Sequence, residues 1–206
     1  FSSCALLLLL FLPPAKLAAQ GDEGRVTFQK AYSLNNQGNT SLAKELFQKT
    51  LDSGYRLADY SLYYLALIAF KESNWEQSRR HLLQLKQSYP QSVWQARAAL
   101  QRAKLDQAEK KFAQANETLR QLRTDKSVSR EIADEASYLI AQNQETQGDL
   151  PRAYNNYQEL RGNSPTSRWA ALARRDQQRL REKYPEQFAL NAAAASSASH
   201  SRRTES

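Results

Sequence analysis

The ten residues YPQSVWQARA (89–98) return seventy-five positions later as SPTSRWAALA (164–173), with Pro90/Pro165, Ser92/Ser167, Trp94/Trp169, Ala96/Ala171 and Ala98/Ala173 identical. No other feature narrows the possible folds so far. Ahead of each copy, residues recur at three- and four-residue spacing: Trp75, Ser78, Leu82, Leu85 and Tyr89 before the first, and Leu150, Ala153, Tyr157 and Leu160 before the second. That spacing places each set on one face of a helix. Each helix then meets a proline that cannot continue it, and Ser92 or Ser167 stands where its hydroxyl takes up an orphan backbone N–H of the next helix. The phrase predicts a joint between two helices: stop, cap, restart with tryptophan on the buried side.

The same unit occurs twice more in blurred form. GNTSLAKELFQKTL (38–51) matches GDLPRAYNNYQEL (148–160) through Gly38/Gly148, Ala43/Ala153 and Phe47/Tyr157, and KKFAQANETLRQL (110–122) joins through Phe112, Ala115, Leu119 and Leu122. A small residue thus recurs at Ala43, Ser78, Ala115 and Ala153, in steps of 35, 37 and 38. Two helices approach closely only where one presents little bulk, and the aromatic four residues on fills the groove beside it. The third copy lacks the turn glycine and the closing proline, so its connection RTDKSVSR (123–130) is expected to be longer and looser. With only six glycines and six prolines, and β-branched residues thin, the chain speaks for helices and against a sheet. The last helix, SRWAALARRDQQRLREKY (167–184), buries Trp169, Leu172, Ala173 and Leu180 and turns six basic residues to water, the polar outer face of an end cap.

A small residue in the second helix, an aromatic one turn later, a glycine or polar turn before and a proline after: over about residues 26–185 this resembles the tetratricopeptide (TPR) repeat family. The resemblance implies an all-α, TPR-like α-solenoid of stacked antiparallel helix hairpins, about four repeats plus a capping helix. It also implies a concave groove lined by the first helix of each hairpin. In ADYSLYYLALIAFK (58–71), Leu62, Leu65, Ala66 and Ala69 form the packing stripe, which leaves Tyr60, Tyr63, Phe70 and Lys71 toward the groove. Arg97, Lys104 and Tyr138 hold corresponding places in later repeats. These seven are the candidate binding residues for a protein or peptide partner, because tyrosine and arginine give large contact area with few torsions to freeze. The competing reading of each tyrosine is packing between adjacent repeats.

No catalytic constellation emerges. The two histidines are His81, read as a solvated helix residue, and His200, in the polar tail; neither has a cysteine or carboxylate at ligand spacing. Asp134 and Glu135 are adjacent, point in different directions on a helix, and are read as surface charge. No cofactor and no metal is expected. The net charge of +8 raises nucleic acid as a partner, but the positives are scattered among Gln and Glu, and no nucleic-acid site is expected. Arg174, Arg175, Arg179, Arg181 and Lys183 form the densest cluster, read as a solvated capping face. Anionic polymers or phospholipid head groups are its alternative partners.

At the start, ALLLLLFL (5–12) followed by Pro13-Pro14 and AKLAAQG reads as a secretory signal peptide over residues 1–20, cleaved after Ala19, its basic n-region missing because the sequence begins inside the peptide. A buried first helix is the alternative, against which Pro13-Pro14 speaks. The run is far short of the roughly 20 residues that span a bilayer, so no transmembrane segment is expected in the mature chain. Cys4, the only cysteine, precedes the run, which leaves no disulfide framework. The solenoid is assigned to 21–188 and a disordered tail or linker to 189–206. Tyr89-Pro90-Gln91-Ser92 looks like the joint of outer-membrane assembly lipoproteins and of the coordinator proteins of the Tol-Pal system. The order of apolar leader, hairpin, ADYSLYYLA and SYPQS is more similar to the helical N-terminal region of soluble lytic murein transglycosylases. That resemblance implies a periplasmic or envelope location, peptidoglycan as a further partner, and a catalytic domain beyond Ser206, so no catalytic residue falls within this chain.

Overall fold

The computed structural model describes residues 14–188. The apolar stretch read as a leader (5–12) and the tail from 189 lie outside them. The described residues form nine helices: α1 (Pro14–Asn36), α2 (Thr40–Asp52), α3 (Ala58–Lys71), α4 (Trp75–Ser88), α5 (Gln95–Ala108), α6 (Phe112–Thr124), α7 (Arg130–Thr146), α8 (Leu150–Asn163) and α9 (Arg168–Lys183), followed by a helical turn at 185–188. Four hairpins result, α1/α2, α3/α4, α5/α6 and α7/α8, with α9 after them. The described residues pack as two compact units, divided between Ala98 and Ala99.

One turn is used four times. Residues 37–39, 72–74, 109–111 and 147–149 each link a hairpin, and the middle residue always has positive φ: Gly38 at 83°, Ser73 at 58°, Lys110 at 60° and Gly148 at 82°. The following N–H then reaches back five residues, Asn39 to Leu34, Asn74 to Ala69, Lys111 to Asp106 and Asp149 to Gln144, at 2.7–2.9 Å. This is a Schellman closure, which satisfies carbonyls that the end of a helix leaves orphaned. The third hairpin therefore keeps the turn without its glycine. Its outgoing connection is not longer either: residues 125–129 number five, like 53–57, and Asp125 ties them by accepting from the Ser127 N–H (2.8 Å) and hydroxyl (2.7 Å).

The small-residue column is where the spacing places it. Ala43, Ser78, Ala115 and Ala153 are all fully buried, and so are Phe47, Leu119 and Tyr157 one turn on. Ser78 is tolerated in this apolar contact because its hydroxyl donates to the Ala66 carbonyl across the hairpin, at 2.8 Å. In the first unit Ala31, Ala43, Phe47, Leu65 and Ile68 form a core cluster; in the second, Tyr138, Ala141, Ala153, Tyr157, Leu160, Ala173 and Leu180 form another. Leu62, Leu65, Ala66 and Ala69 are buried as a stripe along α3. Trp75 departs from its expected face: as the first residue of α4 it is 37% exposed.

Both joints cap as the sequence implies. The Ser92 hydroxyl accepts from the Trp94 N–H (3.1 Å), and the Ser167 hydroxyl accepts from the Trp169 N–H (3.2 Å). Each joint is also tied back to an aspartate on an earlier first helix. Ser92 donates to Asp59 of α3 (2.6 Å), and Ser164 donates to Asp134 of α7 (2.7 Å). Asp134 and Glu135 are consequently buried rather than surface charges. Arg130 pairs with the first at 3.3 Å and Lys104 with the second at 2.5 Å, so neither carboxylate is buried without a charge partner. His81 is half-buried rather than solvated. Its Nε2 is enclosed without a partner, and burial, aided by Arg80 and Lys44, holds its pKa below the usual value.

Candidate partner-binding site

The first unit carries a continuous field of rings. Phe28 of α1 meets Phe47 of α2 edge-on (5.8 Å) and Tyr60 of α3 likewise (6.1 Å). Tyr32, one turn further along α1, meets Tyr64 at 5.6 Å, and Tyr64 stacks flat on Phe47 at 5.0 Å. Trp94, at the restart after the joint, gathers the α3 tyrosines: it stacks on Tyr63 at 4.4 Å and meets Tyr60 and Tyr64 edge-on at 5.0 and 6.0 Å. Edge-on and offset contacts at these distances add to the area buried. Positions 60, 63 and 64 share a side of α3 because they lie three and four residues apart. The Ser92 cap sets where Trp94 begins the next helix.

Polar groups border this field. The Tyr64 hydroxyl is pushed up to about 12, first by burial and then by the neighbouring Tyr32, to which it is hydrogen-bonded; Arg97 draws it the other way. The Arg97 charge is therefore felt at the Tyr64 hydroxyl, while Arg97 itself is exposed one turn beyond Trp94. Tyr32 is 44% exposed. The Trp94 indole N–H is buried without an acceptor. The arrangement offers flat apolar faces edged by hydroxyls and a guanidinium, suited to an extended peptide with apolar side chains and backbone acceptors.

Of the seven residues chosen from sequence, the structure brings Tyr60 and Tyr63 together around Trp94. Phe70 is half-buried and Lys71 exposed in the last turn of α3. Lys104 lies in the second unit with its ammonium on Glu135. Tyr138, in that unit too, is a correction: it is 4% exposed, and its hydroxyl donates to the buried Asp176. It packs against Tyr157 and Trp169 and serves the core, not a groove. Tyr32, Tyr64 and Phe28 were missed. The adjacent pair Tyr63-Tyr64 was the available signal, since two large aromatics side by side on a helix cannot both be hidden by one narrow stripe.

Among the described residues, no group of three or more His, Cys, Asp or Glu side chains could hold a metal ion, and no helix is long and apolar enough to cross a membrane. Residues 60–92 match the family model of the tetratricopeptide repeat, a span that covers α3, α4 and the first joint. No curated protein matches the sequence. Among solved structures, a Podosopora anserina protein described as a kinesin light chain with nearly identical TPR-like repeats is similar, with a TM-score of 0.61 and 14% identity over 91% of this chain and 99% of that one. At that identity the likeness is one of fold. The chain thus carries a tetratricopeptide repeat in its second hairpin and has an all-α, TPR-like fold of stacked helix hairpins, a fold that binds protein partners and is typically non-catalytic.

Proposed function

We propose that this chain is an exported, non-catalytic scaffold that captures an extended segment of a partner protein on the aromatic face of its first unit. The observation that carries the reading is the ring field from Tyr32 to Trp94, partly exposed and edged by Arg97. A residue used only for packing has no need to stand 44% exposed, as Tyr32 does. Export is argued from the apolar run 5–12. The sequence likeness to the helical region of lytic murein transglycosylases supports a place in the cell envelope and a role in positioning an enzyme domain on peptidoglycan. A stand-alone coordinator or outer-membrane assembly protein is the alternative, argued from the Tyr89-Pro90-Gln91-Ser92 joint.

A peptide array screened by the intrinsic fluorescence of the tryptophans tests the binding face. Tyr32→Ala is expected to weaken the best peptide about tenfold, ~1.4 kcal/mol for an anchor residue, with the thermal melt nearly unchanged. Unaltered affinity in that variant counts against the face. Co-sedimentation with purified peptidoglycan separates the wall-binding reading from the protein-binding one, and protease accessibility in intact and osmotically opened cells tests export.

A further inference from the structure

The arginines of α9 divide into two kinds. Arg168, Arg175 and Arg179 each meet a carboxylate: Glu131 at 3.0 Å, Asp176 at 3.4 Å and Glu145 at 2.7 Å. Arg174 and Arg181, seven residues and hence two turns apart, have no carboxylate partner among the described residues. They line a cleft of about 500 Å³ together with Arg161 and Tyr154 of α8. So of the five residues in the densest basic cluster of the sequence, Arg175 and Arg179 are paired with carboxylates, Arg174 and Arg181 face a cavity, and Lys183 lies over the Tyr184 ring.

Arg161 is held firmly there. Gln177, 2% exposed, accepts from its guanidinium through Oε1 and uses its own amide to donate to the Tyr154 carbonyl at 3.3 Å. The Arg161 Nε is buried and has no acceptor. The single carboxylate on the lining, Glu182, accepts from the Gln178 amide at 2.8 Å. Three guanidiniums against one carboxylate leave the cleft with two uncompensated positive charges.

From this we infer that the α8–α9 cleft binds a phosphate group, with Arg161, Arg174 and Arg181 as its ligands. A phosphate monoester carries about −1.5 to −2 near neutral pH, which balances that surplus, whereas a carboxylate leaves half of it standing. Its oxygens also match the fork of guanidinium N–H groups. The cleft exceeds the ion in size, so the phosphate is the head of a larger molecule, a soluble phosphate ester or a lipid head group. This site shares no residue with the aromatic face and is independent of the function proposed for it.

Isothermal titration of the full chain with inorganic pyrophosphate, and with phosphatidic acid vesicles against phosphatidylcholine vesicles, tests the assignment. Saturable binding to at least one phosphate probe is expected, with a chemical-shift change at the Arg161 Nε. The double substitution Arg174→Gln, Arg181→Gln is expected to weaken it at least tenfold; both side chains are exposed, and an unchanged thermal melt verifies the fold. Arg152→Gln, which removes an exposed arginine of α8 already paired with Asp149 at 3.1 Å, is expected to leave binding intact. Pyrophosphate binding points to a soluble ester, and binding confined to phosphatidic acid vesicles points to a lipid. No saturable binding of either probe, or equal weakening by Arg152→Gln, overturns the site.

Discussion

Ser73 and Lys110 hold a left-handed backbone conformation, and Gly38 and Gly148 occupy the same place in the other two hairpin turns. A side chain in that region crowds the following carbonyl, at a cost of roughly 1–2 kcal/mol, part of which a glycine returns as flexibility of the unfolded chain. Ser73→Gly and Lys110→Gly are each expected to raise stability by about 0.5–1 kcal/mol, read from urea unfolding; a fall in either shows that the side chain earns its place by a contact. His81 supplies a pH test. Its folded pKa lies below the ordinary 6.5 because burial, Arg80 and Lys44 all disfavour the cation. The unfolded chain therefore binds the proton first, and stability present above pH 6.5 is lost as pH falls below it toward the folded value. His81→Gln is expected to flatten the thermal-melt profile across that window.

Within an element, close approach overrides propensity. A Cβ built on Gly24 of α1 would stand 2.7–2.8 Å from the Cγ, Cβ and Cδ2 atoms of Tyr55. Helix propensity alone makes Gly24→Ala stabilising by about 1 kcal/mol. The structure reverses the sign, because those atoms sit near the Tyr55 backbone and cannot swing aside. A loss of about 1–3 kcal/mol is expected from overpacking; a gain in the urea midpoint would show that Tyr55 moves away freely. The small-residue column makes the matching case between α7 and α8, where Ala153→Leu inserts three carbons into a contact with no free space. How much of this was legible depends on the side chain. The column and its large neighbours could be read from the sequence because a helix repeats its faces at fixed spacing, whereas the Gly24–Tyr55 contact spans α1 and the residues before α3 and leaves no periodic trace.

At the scale of the two units, ionisation of buried and half-buried tyrosines is expected to set an alkaline limit on each. Tyr64 in the first unit is raised to about 12, mainly by burial; Tyr138 and Tyr157 in the second are raised in the same direction by burial and by the carboxylates of Asp176 and Glu145. For a group whose folded pKa is raised, the stabilisation is whole below the unfolded value of 10.0 and is lost as pH climbs toward the folded one. Circular dichroism followed against pH is expected to show unfolding beginning above pH 10, and Tyr64→Phe is expected to ease the loss in the first unit alone. Unfolding that starts well below that value would place the cause outside the tyrosines.

The sequence by itself determined the hairpin repeat, its near-constant period, the buried small column and both serine-capped joints. Each depends on residues within one or two helical turns, where backbone geometry alone dictates which side chains share a face. Only the tertiary structure decided which polar groups lie inside and which charges survive. Asp134, Glu135 and Tyr138 look like surface residues until Ser164, Lys104 and Asp176 are brought against them from about thirty or more positions away. The same holds for Arg179, paired with Glu145 from 34 positions away, beside Arg174 and Arg181, which have no carboxylate partner among the described residues. Burial and pairing are properties of neighbours in space, and a period along the chain does not carry them.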